Sequence, residues 1–206
     1  KNETRQRKEE ETGKKSGGRP AVVPDAEQAK PEPKAQRNFT DPDSRIMKDG
    51  ASKSFEQSYN AQAAVDSTTQ VIVAATITQQ ANDKKQLVPM VIETIANVGQ
   101  RPQSISADAG YFSAEALDNE ALEGINALVP PDRQKHGDKT TMVRDNGPKD
   151  DSATHAMRAK LGQEVNREIY SQRKAVVEPV FGQIKEARGI RRFMLCGLVQ
   201  VTGEWS

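Results

Sequence analysis

The chain has 206 residues, with 34% hydrophobic and 29% charged side chains and a formal net charge of +1. Its mean hydropathy of -0.78 is polar for a globular protein, so part of the chain is expected to stay unfolded. The single cysteine, Cys196, excludes an internal disulfide framework and a multi-cysteine zinc site. No apolar run approaches the roughly 18 residues that a membrane span needs. The first residues show no basic-then-apolar secretory pattern. Because 30 Lys and Arg nearly balance 29 Asp and Glu, only local patches can argue for nucleic acid.

Residues 1–37 read as a disordered charged linker or the end of an insertion. The run from Arg5 to Glu11 mixes both charge signs with almost no apolar residue, and Pro20, Pro24, Pro31 and Pro33 break any helix. The composition changes at Phe39, and Asp41-Pro42-Asp43-Ser44 is a turn signal. A strand is expected from Ser58 to Asp66, a turn at Ser67-Thr68-Thr69, and a β-branched strand from Gln70 to Thr78; together they make a hairpin.

Asp83 is the expected N-cap of a helix that runs to Val98 and stops at Gly99. Leu87, Val91, Ile92, Ile95 and Val98 recur at helical spacing and predict one buried face. A short strand over 104–107 precedes Asp108-Ala109-Gly110-Tyr111. A helix capped by Ser113 runs through Leu122, and 125–129 is a short strand stopped by Pro130-Pro131. The polar stretch from Asp132 to about Thr154 reads as a loop, and 156–185 as mostly helix ended by Gly189. This order predicts a mixed α/β domain over 38–206.

Two carboxylates stand out. Asp108 ends a short apolar strand, where ligand chemistry concentrates in open α/β sheets, and Gly110 lets the backbone turn or a substrate approach. A plain helix-capping role explains it equally well. Glu178 interrupts an apolar stretch just before Pro179, where a helix is expected to kink or restart. A Lys174–Glu178 surface pair, worth a few tenths of a kcal/mol, is the simpler account. Asp66 sits before a turn, where Asp is a good turn former. His136 and His155 lack metal-ligand spacing.

Four segments in combination resemble the C-terminal part of DDE transposases of bacterial insertion sequences: 41–47, Ser58-Tyr59-Asn60-Ala61-Gln62, 107–113 and 177–185. The resemblance covers roughly Phe39 to the end. It implies an RNase H-like mixed sheet flanked by helices, and three acids that hold two Mg²⁺ (or Mn²⁺) ions for cutting and joining DNA. Asp108, Gly110 and Tyr111 match the family's Asp-x-Gly-Tyr motif. Glu178 and Lys185 keep the last interval of its Tyr-x2-Arg-x3-Glu-x6-Lys signature; Tyr170 and Arg173 keep the first, while the middle interval is one residue longer, leaving Lys174 as an alternative to the arginine.

The resemblance further implies that Arg173, Lys174 and Lys185 contact DNA phosphates, with Tyr170 beside them and the cluster Arg188, Arg191 and Arg192 following. The family's first Asp lies on the first strand of the fold. A long charged insertion separates that strand from the hairpin in this subfamily, and residues 1–37 resemble its tail, so the strand is expected upstream of Lys1, which makes this chain a fragment lacking its first strand, with little activity alone; Asp66 is the fallback acid. The expected partners are DNA at insertion-sequence ends and targets and a possible homodimer, with no membrane and no small-molecule cofactor, in a bacterial cytoplasm at the nucleoid. The rival readings are an RNase H-like nuclease and a non-enzymatic DNA-binding remnant.

Overall fold

A computed structural model describes residues 36–50, 52–132 and 152–206. The expectations of disorder over 1–37 and of a loop after Asp132 fall almost wholly outside the described residues. Residues 38–206 form one compact unit.

Two antiparallel hairpins come first. Strand β1 (Arg45–Lys48) pairs with β2 (Phe55–Ser58), an element that the sequence patterns do not reveal. Strand β3 (Asn60–Val65) pairs with β4 (Ile72–Thr78) in the expected hairpin, from Asn60 opposite Thr78 to Val65 opposite Ile72, with a register shift between Ala64 and Val65. Helix α1 (Leu87–Val98) follows and ends at Gly99 with φ 76°. Strand β5 (Ser104–Ser106), a 3-10 turn over Ala109–Tyr111, the short helix α2 (Ala114–Leu117), a second 3-10 turn over Glu120–Leu122 and strand β6 (Asn126–Leu128) come next. Strands β5 and β6 run parallel, as a helical crossover between them requires. Helices α3 (Ser152–Gly162), α4 (Glu164–Glu186) and α5 (Leu198–Trp205) complete the chain.

Strand β6 divides the core. Side chains alternate across a strand, so Ala127 and Val129 face one way, into a cluster with Leu87, Val91, Ala116, Leu122 and Ile125. Leu128 faces the other way, among Met157, Leu161 and Tyr170 of α3 and α4. Leu128 and Val129 are both 0% exposed, which fixes β6 in the middle of the fold and β5, with Asp108 at its exit, alongside.

Several expectations need correction. The single mixed sheet is, among the described residues, three two-stranded sheets, because no described strand joins the β3–β4 hairpin to the β5–β6 pair. Asp83 does not cap α1. The helix starts after Gln86, and the Asp83 carboxylate instead accepts bonds from two amide side chains of β3. Ile92 and Val98 are exposed at 54% and 44%, while Met90 is buried: the helix turns a narrower stripe to the core than the apolar pattern suggests. Ser113 occupies the cap position of α2 without making a side-chain cap. Pro179 does not end a helix. It lies inside α4, which runs unbroken for 23 residues, and the expected helix over 156–185 is divided instead at Gln163.

The N-terminal turn and the last helix hold each other. Tyr59 donates its hydroxyl to both oxygens of Asp41, at 2.7 and 2.9 Å. The Gly197 amide donates to Asp41 Oδ1 at 3.1 Å and the Leu198 amide to Asp43 Oδ2 at 3.0 Å. The Asp-Pro-Asp-Ser turn therefore satisfies amides at the start of α5 that the helix itself leaves unpaired. Gly197 delivers its amide from φ 88°, a conformation that other residues adopt only with strain.

Candidate active site

Asp108 leaves β5 exposed and takes the cap position of the 3-10 turn. Its Oδ1 accepts the Gly110 amide at 2.8 Å; Oδ2 accepts no hydrogen bond among the described residues. Two acids close in on Gly110. A Cβ built there would lie 2.9 Å from Asp108 Oδ1 and 3.3 Å from Asp83 Oδ2. Both carboxylates thus crowd one glycine, and the free Oδ2 of Asp83 points at it.

Asp83 is held from below. Its Oδ1 accepts from Asn60 Nδ2 at 2.7 Å and from Gln62 Nε2 at 2.8 Å. Gln62 is 2% exposed, and its Oε1 accepts the hydroxyl of Tyr111, the last residue of the Asp108 turn. Burial, and the charges of Asp83 and Asp108, push the Tyr111 phenol upward, so it stays a proton donor. Sequence patterns did not mark Asp83, Asn60 and Gln62 as members of this region. The available signal was two amides at alternate positions of a strand otherwise made of Ala and Val, which places both on one face where buried amides need partners.

Helix α4 brings Tyr170 and Arg173 to the same place. Burial raises the Tyr170 pKa, and the charge of Arg173 works against that rise. The Arg173 guanidinium carbon lies 5.4 Å from the centre of the Tyr170 ring, a cation–π arrangement. The charge of Arg173 also reaches Tyr111. Arg173 Nε is buried and has no hydrogen-bond partner, an orphaned donor.

The remaining candidates lie elsewhere. Glu178 is exposed and makes no hydrogen bond or ion pair among the described residues. It follows Arg173 by five residues, about 140° around the helix, so a helix that turns Arg173 inward turns Glu178 away. Lys174, Lys185, Arg188 and Arg192 are exposed, and Arg191 pairs with Glu186. The Asp66 carboxylate is occupied by the hairpin turn, where Oδ2 accepts the amides of Thr68 and Thr69 and the Thr69 hydroxyl.

In kind, the donors suit a hard dication: Asp108 and Asp83 each keep one carboxylate oxygen without a hydrogen bond among the described residues. In number they fall short of a full two-ion site, since among the described residues no three metal-ligating side chains converge.

Asp108 thus ends a strand at a Gly-Tyr turn within a mixed α/β domain. The chain matches the family model of the transposase DDE domain over residues 22–206, and it belongs to that family. No curated protein and no solved structure gives a match. Family membership makes DNA transposition its setting and DNA its partner. Among the described residues no helix is long and apolar enough to cross a membrane.

Proposed function

We propose that this chain is the C-terminal part of an RNase H-like transposase catalytic domain, which cuts and joins DNA at the ends of an insertion sequence. In this reading Asp108 and Glu178 are two of its three acids. The observation that carries it is Asp108 at the exit of β5, one oxygen fixed by Gly110 and the other free, on a turn that Tyr111 closes by bonding back to the Asp108 carbonyl. Mg²⁺ or Mn²⁺, when bound, supplies charge that a carboxylate set alone lacks during displacement at phosphorus.

The chain's own residues do the rest. Asp108 offers its unengaged oxygen. Arg173 offers a buried guanidinium edge to a phosphate oxygen, which would also satisfy its orphaned Nε. Lys174, Lys185, Arg188, Arg191 and Arg192 track the DNA backbone. The first acid belongs to a strand upstream of Lys1, and that strand joins the β3–β4 hairpin to the β5–β6 pair. A dimer on paired ends, in a bacterial cytoplasm at the nucleoid, completes the proposal.

The test is a strand-transfer assay with Mg²⁺ or Mn²⁺ on this chain and on a chain extended upstream. Little product is expected from the first, and product dependent on Asp108 and Glu178 from the second. Robust Glu178-dependent product from this chain alone would overturn its incompleteness. The runner-up, a DNA-binding remnant without catalysis, draws support from the exposed Glu178 turned off the Arg173 face. If alanine at Asp108 and Glu178 changes neither cleavage nor binding in the extended chain, the remnant reading wins.

A further inference from the structure

We propose that Gln62 and Asp83, with Asn60, form a clamp that sets the conformation of the Asp108 turn, which makes them positioning residues for that acid. The proposal rests on the reading of Asp108 given above. The three residues come from β3 and from the segment before α1, while the turn they hold lies 49 residues beyond Gln62.

The Gln62 amide is saturated and points one way. Its Nε2 donates to Asn60 Oδ1 and to Asp83 Oδ1, each at 2.8 Å, and its Oε1 accepts from Tyr111. An ionised carboxylate only accepts, so Asp83 forces Nε2 toward itself. That leaves Oε1 facing Tyr111, whose hydroxyl must then donate. The polarity runs from Tyr111 through Gln62 to Asp83, and a flipped amide would set an oxygen against the carboxylate. At 2% exposure Gln62 has no water to replace a broken bond.

The consequence falls on Asp108. Tyr111 closes the turn that Asp108 opens, and its amide bonds back to the Asp108 carbonyl at 3.1 Å. Gly110 sits between them, donating to Asp108 on one side and crowded by Asp83 on the other. Anchoring the Tyr111 ring therefore fixes both ends of the turn, and the free Asp83 oxygen fixes how closely its middle can approach. A Gln62 that merely filled the core would need none of this directionality.

The test exchanges donor for acceptor. Gln62→Glu sets two carboxylates face to face; adding Asp83→Asn restores a donor–acceptor pair with the same total charge. Two readouts are taken on the full chain: the Gly110 amide proton shift in a ¹⁵N-labelled sample, and Mn²⁺ affinity by electron paramagnetic resonance. Gln62→Glu is expected to move the Gly110 shift and weaken Mn²⁺ binding about tenfold or more, and the double variant to return the Gly110 shift toward the parent's.

Tyr111→Phe, which keeps the ring and removes the donor, is expected to move the Gly110 shift in the same direction. It also serves if Gln62→Glu does not fold. Unchanged Gly110 shifts in folded Gln62→Glu and Tyr111→Phe, or a double variant no better than Gln62→Glu, overturn the clamp. Mn²⁺ binding in the parent that survives Asp108→Asn overturns instead the assignment of Asp108, while the Gly110 shift still judges the clamp.

Discussion

The indole of Trp205, next to last in the chain, donates to the backbone carbonyl of Gln62 at 2.9 Å, so the final helix is bonded to the strand that supports the Asp108 turn. Trp205 also stacks on Phe181 of α4, with ring centres 6.3 Å apart, and meets Phe193 edge-on at 6.1 Å. One side chain thus ties α5, α4 and β3 together. Trp205→Phe keeps much of the ring packing and orphans a carbonyl of a buried residue; we expect it to cost about 1 kcal/mol. Trp205→Ala loses the packing as well and should cost about 3 kcal/mol. Urea unfolding followed by far-ultraviolet circular dichroism measures both, since Trp205 is the chain's only tryptophan and its fluorescence disappears with it. Equal costs for the two substitutions would show that the ring packing contributes nothing, and an unchanged stability in Trp205→Phe that the hydrogen bond contributes nothing.

The Asp41 contacts predict how stability responds to acid. Burial pushes the Asp41 pKa up, but the Tyr59 hydroxyl and the amides of Gly197, Asp43 and Ser44 pull it down, and the net position is below the ordinary 3.8. A carboxylate lowered on folding contributes stability that is complete above the unfolded value of 3.8 and is lost as pH falls from there through the lower folded value. The stability gap between the parent and Asp41→Asn should therefore be widest near neutral pH and close below pH 3.8. Tyr59→Phe, which removes a donor to a charged group, should cost about 2 kcal/mol at neutral pH. Thermal melts across the acid range decide this. A gap that stays constant with pH would mean that Asp41 acts only through packing.

Parts of the fold and the site were legible from the sequence for clear physical reasons. The β-branched run before Thr78 marked the hairpin, and the strand-to-glycine step at Asp108 marked the end of β5 and the turn after it, because both signals are local. Asp83 was misread because an acid before an apolar helix looks like a cap, and the competing bonds come from Asn60 and Gln62, more than 20 residues earlier in the chain. The exposure of Ile92 depends on which neighbours reach α1, which periodicity does not encode. Pro179 suggests a break, yet the structure keeps it within α4, with Val180 and Ile184 buried just beyond it.

Gly110 allows a direct check on the two acids that bound it. Its backbone is not in the left-handed region, so alanine there brings no conformational strain. The added methyl instead meets Asp108 Oδ1 and Asp83 Oδ2, and one of those carboxylates must move. We expect Gly110→Ala to melt within a few degrees of the parent (about 1 kcal/mol or less) and to bind Mn²⁺ about tenfold more weakly. A variant that melts normally and binds Mn²⁺ as tightly as the parent would remove Gly110 and its two neighbours from the site.

Glu178 separates a structural from a functional role. It is exposed and unpaired among the described residues, so Glu178→Gln should change stability by no more than about 0.5 kcal/mol. If it is one of the acids, the same substitution should abolish strand cleavage by the upstream-extended chain while leaving DNA affinity intact. Unfolding curves and a gel-based cleavage assay on one preparation supply both answers. Retained cleavage would assign the third acid to another residue.

The basic stretch from the last turn of α4 onward predicts unequal contributions from similar residues. Arg191 is bonded to Glu186, and a paired guanidinium has less to offer a phosphate; Lys185, Arg188 and Arg192 have no such partner among the described residues. Removing the cation that neutralises one phosphate should flatten the plot of log affinity against log salt by about 0.9. Glutamine at Lys185, Arg188 or Arg192 should therefore each reduce the slope by about 0.9, and Arg191→Gln by less. If DNA runs along this stretch, Glu186→Gln, which frees Arg191 and removes a negative charge there, should tighten binding and steepen the slope. Fluorescence anisotropy with a labelled duplex at several salt concentrations resolves these differences. Equal effects from all four cations would mean that the Glu186 pair opens when DNA binds, and slopes unchanged throughout would move the DNA path off this stretch altogether.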